Sequence, residues 1–294
     1  TSEDQLVGKV EDADAIMLYH SMSITRRTIE RLGKCRLIIR CGVGYDNIDL
    51  KSAARKNIPV CTVPDYGTEE VADHTMALLL ALIRGFPVYV KRVRQRDWNR
   101  ENKMPFRLRG KTMGIVGLGR IGSAVAARAK AFGMNVIFYD PYKEDGYDKA
   151  LGIKRVESLD DIAEQSDIIS LHTPLTKETN GMIDKRFFSN TTRNPILINT
   201  ARGAIIRIDD LHVAMQTDTI NAVGLDVLPI EPNDDTQELI MAWEQKEAWL
   251  QGRVLVTPHV AFYSPEGYRE MRQKAAIEAW RVLNGESPRN QVTV

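Results

Sequence analysis

Short apolar segments alternate with helical segments along nearly the whole chain, and this alternation limits the possible folds more than any other feature of the sequence. The apolar segments are uninterrupted, as expected of parallel strands that are buried on both faces. The pattern therefore predicts an α/β fold in which helices cover parallel sheets. The predicted strands are Ala13–Leu18, Leu37–Ile39, Val60–Val63, Thr112–Val116, Val136–Tyr139, Ile168–Leu171, Ile196–Ile198, Val223–Leu225 and Val254–Val256.

The strands fall into two series, which predicts two doubly wound parallel-sheet domains. A basic segment, Val90–Lys111, stands between the series, and we interpret it as a solvated connecting arm. The last predicted helix, Pro265–Leu283, is long enough to return to the first domain. We therefore expect one domain from residues 1–80 and 266–294, with a second domain, residues 81–265, inserted in it.

Composition excludes several classes of protein. The 294 residues carry a net charge of +1, which gives no overall field to attract nucleic acid or an anionic membrane. No apolar stretch approaches the length of a membrane span, and the polar first residues do not resemble a signal peptide. The three cysteines show neither disulfide nor zinc-site spacing, so we expect a cytoplasmic protein without a metal site.

A glycine-rich turn follows the first strand of the second series. Gly117, Gly119 and Gly122 form a GxGxxG pattern between an apolar strand and an alanine-rich helix. In this context the glycines allow a tight turn, close approach of a pyrophosphate and close packing of helix on strand. Asp140 ends the next strand, where a carboxylate would bind both ribose hydroxyls and repel a 2′-phosphate. The pattern predicts a Rossmann domain that binds NAD, whereas Lys143, close to Asp140, leaves NADP as an alternative. A purely structural glycine turn would leave Asp140 unexplained.

Three candidate catalytic side chains follow later strands of the second series, where ligands bind in such sheets. Arg202 follows the strand Ile196–Ile198, and its guanidinium suits capture of a carboxylate. Glu231 lies in the segment after the next strand, and His259 follows the last one. Histidine suits proton transfer near neutral pH. Taken singly, the arginine would more often form a surface salt bridge and the histidine would more often be structural.

Taken together, these segments resemble the D-isomer-specific 2-hydroxyacid dehydrogenase family, over about residues 13–283. The resemblance implies hydride transfer between the nicotinamide C4 of NAD and C2 of a small 2-oxo or 2-hydroxy acid, with D stereochemistry. It implies that Arg202 binds the substrate carboxylate, that His259 is the acid/base, and that Glu231 hydrogen-bonds to His259 and tunes it. It also implies a flavodoxin-like substrate domain, whose N-terminal strand and helix are missing from this sequence, and a homodimer.

The resemblance extends to further binding residues. Those expected to bind the cofactor are Gly117, Leu118, Gly119, Arg120, Ile121, Asp140, His172, Thr173, Pro174, Thr179, Thr200, Ala201, Arg202, Asp226, His259, Ala261 and Thr68. Those expected to bind the substrate are Val43, Gly44, Arg202 and Phe262.

Three segments, Arg40–Asp49, Cys61–Pro64 and Phe262–Ser264, resemble the branch of the family that includes the C-terminal-binding-protein corepressors. Phe262 stands where these corepressors carry a tryptophan, and an aromatic ring there suits an apolar tail on the substrate. The resemblance leaves two alternatives to a metabolic dehydrogenase of this kind. One is an NAD-sensing scaffold or transcriptional corepressor, and the other is a phosphoglycerate- or glyoxylate-type reductase.

Overall fold

A computed structural model describes residues 3–101, 106–232 and 236–292. It divides the chain into two compact units, one formed by Thr1–Gly67 with Phe262–Val294 and the other by Thr68–Ala261. From the sequence, the boundaries between the two domains were expected after residues 80 and 265. The helix that begins at Thr68 belongs to the larger unit because its buried face packs on the sheet of that unit.

The described residues form eleven strands and eleven α-helices. The strands are β1 (Ala15–Leu18), β2 (Leu37–Arg40), β3 (Val60–Thr62), β4 (Thr112–Val116), β5 (Asn135–Tyr139), β6 (Lys154–Arg155), β7 (Ile168–Leu171), β8 (Ile196–Asn199), β9 (Ala222–Leu225), β10 (Val254–Val256) and β11 (Gln291–Val292). The helices are α1 (Arg26–Ile29), α2 (Leu50–Arg55), α3 (Thr68–Ile83), α4 (Phe86–Arg94), α5 (Arg120–Ala131), α6 (Tyr147–Leu151), α7 (Leu159–Gln165), α8 (Lys185–Ser189), α9 (Ile208–Gln216), α10 (Glu238–Glu244) and α11 (Pro265–Leu283). Three short 3-10 helices are Glu3–Leu6, Gly203–Ile205 and Ala248–Leu250.

The smaller unit contains a four-stranded sheet with the order β1-β2-β3-β11. The first three strands are parallel and consecutive, and β11 pairs with β3 in the antiparallel direction. The described strands of this sheet therefore lack the reversal of order that defines a doubly wound sheet. The sequence did not predict β11, which is only two residues long and follows α11 by a short loop. Helix α11 packs on β2 and β1 and completes the core of this unit.

The larger unit contains a seven-stranded parallel sheet with the order β10-β9-β8-β7-β4-β5-β6. The order reverses between β4 and β7, as in a Rossmann fold, and ligands bind at such a switch point beyond the carboxyl ends of the strands. Six of the seven strands were predicted; β6 is a short polar edge strand without an apolar signal. Because every strand is parallel, the loops that follow them lie at one edge of the sheet.

Helix α3 begins at Thr68, and its residues Met76, Leu78, Leu79, Leu82 and Ile83 are buried in the core formed with β8, β9 and α5. Gly224 allows this close packing, because a Cβ on β9 would lie 3.1 Å from the Cβ of Leu78. The predicted connecting arm, residues 90–111, begins within helix α4. Residues 102–105 of the arm lie outside the described part of the chain. No helix among the described residues is long and apolar enough to span a membrane.

Candidate active site

The predicted dinucleotide turn joins β4 to α5, and its glycines differ in what requires them. Gly117 has a φ of +91°, and an added Cβ would lie 2.9 Å from the carbonyl carbon of His172. At Gly122, a Cβ would lie 2.2 Å from the carbonyl oxygen of Gly117. These two glycines are therefore required by the fold itself. At Gly119, by contrast, an added Cβ would meet nothing within 4 Å, so this side of the turn is open to a ligand.

Two more observations fit a phosphate-bearing cofactor at this turn. No side chain caps the N-terminus of α5, where Arg120 and Ile121 lie in the first turn, so backbone N–H groups can receive a phosphate. The hydroxyl of Thr173, beside Gly117, is buried and has no hydrogen-bond partner among the described residues. A buried hydroxyl without a partner is costly unless a ligand or water supplies one.

Asp140 lies immediately after β5 and is joined to the glycine turn. Its Oδ2 accepts a hydrogen bond from the N–H of Leu118 at 2.9 Å, and its Oδ1 accepts one from the N–H of Tyr142 at 3.0 Å. These bonds hold the carboxylate next to the turn. This arrangement fits the predicted role of Asp140 toward a ribose that lies beside the pyrophosphate.

The loop after β7 carries four of the predicted cofactor residues. Burial lowers the pKa of His172 to about 3, so its imidazole is neutral, and its Nε2 lies 2.8 Å from the hydroxyl of Ser170. Thr179 donates a hydrogen bond to the carbonyl oxygen of Pro174 at 2.6 Å and so closes the loop on itself. In the structure, His172 and Thr179 use their side chains to shape this loop. The hydroxyl of Thr173, by contrast, can still form a hydrogen bond with a ligand.

The loop after β8 is fixed from inside by Asn199, which is fully buried. Its Oδ1 accepts a hydrogen bond from the N–H of Ala201 at 3.0 Å, and its Nδ2 donates to the carbonyl oxygen of Arg202 at 2.9 Å. The guanidinium of Arg202 bends back and donates to the carbonyl oxygen of Ala201 at 2.8 Å. The amide of Asn199 therefore sets the backbone conformation from which Arg202 projects.

Gly203 brings the arginine loop against the segment that follows β9. A Cβ at Gly203 would lie 1.9 Å from the carbonyl carbon of Leu228 and 2.3 Å from the nitrogen of Pro229. Only glycine fits between these backbones. The N–H of Leu228 in turn donates to Oε1 of Glu231 at 2.8 Å. The packing thus connects the loop of Arg202 directly to the segment of Glu231.

His259 and Glu231 form a hydrogen-bonded pair. Nδ1 of His259 lies 2.7 Å from Oε2 of Glu231. Because an ionised carboxylate can only accept a hydrogen bond, we assign the proton of this bond to Nδ1 of His259. His259 has a φ of +51°, a conformation that non-glycine residues seldom adopt and that is often found at functional sites.

Arg202 completes the cluster. Burial raises the pKa of Glu231, but the hydrogen bond and charge of His259, the N–H of Leu228 and the positive charge of Arg202 together bring it below its ordinary value. Glu231 therefore remains an ionised carboxylate at neutral pH, with His259 and Arg202 close to it. The structure brings together the three side chains that were predicted to be catalytic.

Asp226, which is 1% exposed, organises the backbone around His259. Its Oδ1 accepts from the hydroxyl of Thr257 at 2.6 Å and from the N–H of Val260 at 2.9 Å, and its Oδ2 accepts from the N–H of Ala261 at 2.9 Å. Its own carbonyl oxygen accepts from the N–H of His259 at 2.8 Å. Asp226 and Ala261 were predicted to bind the cofactor; the structure gives both a part in holding the histidine loop.

The remaining predicted substrate residues belong to the smaller unit. Val43 and Gly44 follow β2, and the Val43 side chain is exposed. Glycines in such a loop can allow a substrate to approach the backbone closely. At Gly42 the close approach is instead made by the chain itself, since a Cβ would lie 1.7 Å from Nη1 of Arg40. Phe262 packs edge-on against the rings of His20 and Tyr66.

Sequence reasoning missed the residues that support this site. Asn199 and Thr257 lie next to predicted residues but received no role, and neither did His74. His74 Nε2 lies 3.0 Å from the hydroxyl of Thr257, and the hydroxyl of the adjacent Thr75 lies 3.0 Å from that of Thr200. The signal that could have revealed His74 and Thr75 is the run of three polar residues, Asp73–Thr75, just before the apolar run of α3.

Comparison with known proteins identifies the family. The sequence model described as "D-isomer specific 2-hydroxyacid dehydrogenase, NAD binding domain" matches residues 76–261. The chain belongs to this family. It is 35% identical, over its full length, to the D-3-phosphoglycerate dehydrogenase of Methanocaldococcus jannaschii, but spans only 54% of that protein. It is also 35% identical to the glyoxylate reductase of Korarchaeum cryptofilum, with 99% of this chain and 86% of that protein covered.

A solved structure gives the same result. The crystal structure of the D-lactate dehydrogenase of Aquifex aeolicus, complexed with NAD and lactic acid, superposes with a TM-score of 0.88 at 30% identity. The match covers 97% of this chain and 88% of that one. The predictions of the family, the Rossmann fold and NAD as the cofactor are thereby confirmed. The alternatives of a corepressor or another reductase are not favoured over the general dehydrogenase function, and the branch within the family stays a prediction.

Proposed function

We propose that the chain is an NAD-dependent dehydrogenase of D-2-hydroxy acids, which in the reverse direction reduces 2-oxo acids, and that Arg202, Glu231 and His259 are its catalytic residues. The observation that carries this proposal is the convergence of these three side chains at the sheet edge that also presents the open side of Gly119. Together they supply an anion-binding guanidinium, an imidazole and a carboxylate partner.

Each side chain has a distinct task in the proposed reduction. Arg202 orients the 2-oxo acid through its carboxylate and stabilises negative charge that develops on the carbonyl oxygen. His259 donates a proton from Nε2 to that oxygen, and in the oxidation it accepts the proton from the hydroxyl group. Glu231 accepts the hydrogen bond from Nδ1, fixes the orientation of the ring and stabilises its charged form.

The residues of the glycine turn fit the cofactor. When bound, NAD supplies the hydride acceptor and NADH the hydride donor. The N-terminus of α5 would hold the pyrophosphate, Asp140 the adenosine ribose and Thr173 a nearby oxygen. These assignments, together with those of Thr68, Thr200, Asp226 and Ala261 on the cofactor and of Val43, Gly44 and Phe262 on the substrate, are part of the proposal.

A turnover assay tests the function. Purified protein with NADH is offered 2-oxo acids that differ in tail size and charge, including glyoxylate, pyruvate, an acid with a thioether tail and a phosphorylated acid. We expect reduction of at least one acid, with the D enantiomer as the product on a chiral column. Binding of NADH without turnover of any acid, or formation of the L enantiomer, would contradict the proposal.

We also propose that the protein is a homodimer. Helix α4 exposes an apolar stripe of Phe86, Val90 and Val93, which are 59%, 45% and 49% exposed and lie on one face by their spacing. We expect light scattering after size exclusion to give the mass of a dimer and Val90→Asp to give a monomer. Val213→Asp, at an exposed position of α9, is the matched control and should remain dimeric. A monomeric wild-type protein would contradict the proposal.

For the location, we propose the cytoplasm. The three cysteines are buried and unpaired, as is usual for proteins of reducing compartments. Fractionation of the source cells, with detection of the native protein by antibody, tests this. Recovery in an oxidising compartment or outside the cell would contradict it.

A further inference from the structure

Two adjacent residues of α3, His74 and Thr75, each contact a different loop of the candidate active site. His74 Nε2 lies 3.0 Å from the hydroxyl of Thr257, in the loop of His259. The hydroxyl of Thr75 lies 3.0 Å from the hydroxyl of Thr200, in the loop of Arg202. All of these residues belong to the larger unit.

The direction of the first contact follows from the number of protons available. The hydroxyl of Thr257 has one proton, which it donates to Oδ1 of Asp226 at 2.6 Å. Thr257 must therefore accept the bond from His74, so the proton of the imidazole is on Nε2. The same Nε2 lies 3.6 Å from Oδ1 of Asp226. His74 thus acts on the carboxylate that binds the N–H groups of Val260 and Ala261, the two residues that follow His259.

The second contact is ordered in the same way. The hydroxyl of Thr75 donates its one proton to the carbonyl oxygen of Val71 at 2.8 Å, one turn earlier in α3. It therefore accepts a hydrogen bond from the hydroxyl of Thr200, and this orients the hydroxyl of Thr200. Thr75 is fully buried and Thr200 is 9% exposed, so water cannot readily replace either partner.

The helix that carries both contacts is well anchored. Its apolar residues are buried against β8 and β9, the strands that precede the loop of Arg202 and the segment of Asp226. On its outer side, Asp73 pairs with Arg128 of α5 at 2.6 Å. A rigid helix with adjacent contacts to two loops can fix the distance between them.

We propose that His74 and Thr75 are positioning residues that hold the loop of His259 and the loop of Arg202 in register with one another. This proposal deepens the proposed function and rests on it for its catalytic consequence. Its structural part, the ordering of two loops by one dipeptide, does not depend on the reaction.

Hydrogen–deuterium exchange of the protein without cofactor or substrate tests the structural part. The variants are His74→Leu, which removes the donor, and His74→Gln, whose amide nitrogen keeps a donor near the position of Nε2. At the second position they are Thr75→Val, which has the same shape without the hydroxyl, and Thr75→Ser, which keeps it. Thr217→Val is the matched control, because the hydroxyl of Thr217 also donates to a carbonyl oxygen one turn earlier, but Thr217 caps the C-terminus of α9, away from both loops.

We expect His74→Leu to speed exchange in peptides covering residues 257–261 by about 3- to 10-fold, the effect of losing one hydrogen bond. Thr75→Val should do the same for residues 199–203, and each should leave the other loop unchanged. The Gln, Ser and control variants should resemble the wild type. Unchanged exchange in both loops, or equal acceleration over β4 and β5, would overturn the proposal.

Kinetics test the catalytic consequence on an acid that the wild type reduces. We expect His74→Leu and Thr75→Val to lower kcat by about 10-fold or more, because small displacements of reacting groups are costly. The affinity for NADH should change little, and the Gln and Ser variants should recover most of the rate. Equal losses in the Leu and Gln variants would overturn the positioning role of His74. Absence of turnover in the wild type would overturn the proposed function, and the exchange experiment would still decide the positioning of the loops.

Discussion

Glu231 and His259, 28 residues apart in the chain, are joined by a hydrogen bond of 2.7 Å between Oε2 and Nδ1. The bond forms although neither residue lies in a regular helix or strand. It depends on the left-handed backbone of His259, which Asp226 holds through its own carbonyl group, and on the N–H of Leu228, which binds the other carboxylate oxygen of Glu231. The acid–base pair is therefore a product of two ordered loops.

Replacing His259 by alanine should abolish most of the reduction. Loss of a general acid typically lowers the rate by about 100-fold or more, so we expect kcat to fall by at least that factor. The affinity for NADH, measured by fluorescence titration, should stay within a few-fold of the wild-type value. A comparable loss of rate and of cofactor affinity would count against His259 as the proton donor.

Replacing Asp140 should change the choice of cofactor. Asp140→Ala should weaken NAD binding, and Asp140→Arg should favour NADP, because the variant side chain can bind a 2′-phosphate where the native carboxylate repels it. The measurement is the ratio of kcat/KM with NADH to that with NADPH. Glu144→Arg, which adds a similar charge in the nearby exposed segment, is the control and should leave the ratio close to that of the wild type. An unchanged ratio in Asp140→Arg would refute the assignment.

Two glycines of the same turn should respond in opposite ways to alanine. At Gly119 a Cβ meets no protein atom, and the φ of −75° suits alanine, so Gly119→Ala should leave Tm unchanged. The methyl group would meet the cofactor, and we expect the Kd for NADH to rise by about tenfold, or about 1.4 kcal/mol.

Gly122→Ala should instead lower the free energy of unfolding by about 1–3 kcal/mol, as overpacking usually does, because its Cβ would lie 2.2 Å from the carbonyl oxygen of Gly117. Urea denaturation and NADH titration of both variants separate the two effects. A loss of stability in Gly119→Ala with unchanged NADH affinity would contradict the proposed cofactor site.

Burial of His172 should make stability depend on pH. The pKa in the folded protein is about 3, below the ordinary value of 6.5, so the unfolded chain takes up the proton first as the pH falls. The contribution of the neutral imidazole of His172 to the free energy of unfolding is therefore fully present above pH 6.5. It is lost as the pH falls from 6.5 toward 3.

The wild type should therefore lose stability, relative to His172→Gln, by at most about 1.4 kcal/mol per pH unit over this range. Urea denaturation of both proteins at several pH values between 4 and 7.5 measures the difference. A difference that is constant over this range would show that the imidazole takes up a proton as readily in the folded protein as in the unfolded chain, and would contradict the lowered pKa.

Gly203→Ala should disturb both the fold and the chemistry. The added Cβ would lie 1.9 Å from the carbonyl carbon of Leu228, so either the arginine loop or the segment of Glu231 must shift. We expect a fall in Tm and a fall in kcat/KM with NADH affinity retained, because the glycine turn lies elsewhere along the sheet edge. Gly146→Ala is the control: unlike at Gly203, a Cβ there would meet nothing within 4 Å, but its φ is +97°, so it tests backbone strain without a clash. Wild-type kcat/KM in Gly203→Ala would contradict the proposed connection.

Much of the larger unit could be predicted because its apolar strands and glycine turn leave a strong signal in the sequence. The predicted strands Thr112–Val116, Ile168–Leu171 and Val254–Val256 have the bounds that the structure gives, as does the helix Pro265–Leu283. The edge strands β6 and β11 were missed because two residues paired at the edge of a sheet need no apolar pattern. Tertiary pairing, not local propensity, makes them strands.

The candidate catalytic trio of Arg202, Glu231 and His259 was predicted from its positions after parallel strands, and the structure brings it together. The residues that hold the trio could not be found in this way. Asn199 and Asp226 use their polar atoms on backbone groups, and His74 acts through a hydroxyl 183 residues away in the chain. Such contacts depend on three-dimensional packing, which a pattern along one strand or helix does not encode.

The absence of space beside Gly203 has a consequence for how such enzymes diverge. The backbones that carry the guanidinium and the carboxylate are in direct contact, so neither can be adjusted without the other. Under the proposed function, we therefore expect the loop of Arg202 and the segment of Glu231 to change only together. A new preference for one acid over another would then arise most easily through changes to residues outside these two segments.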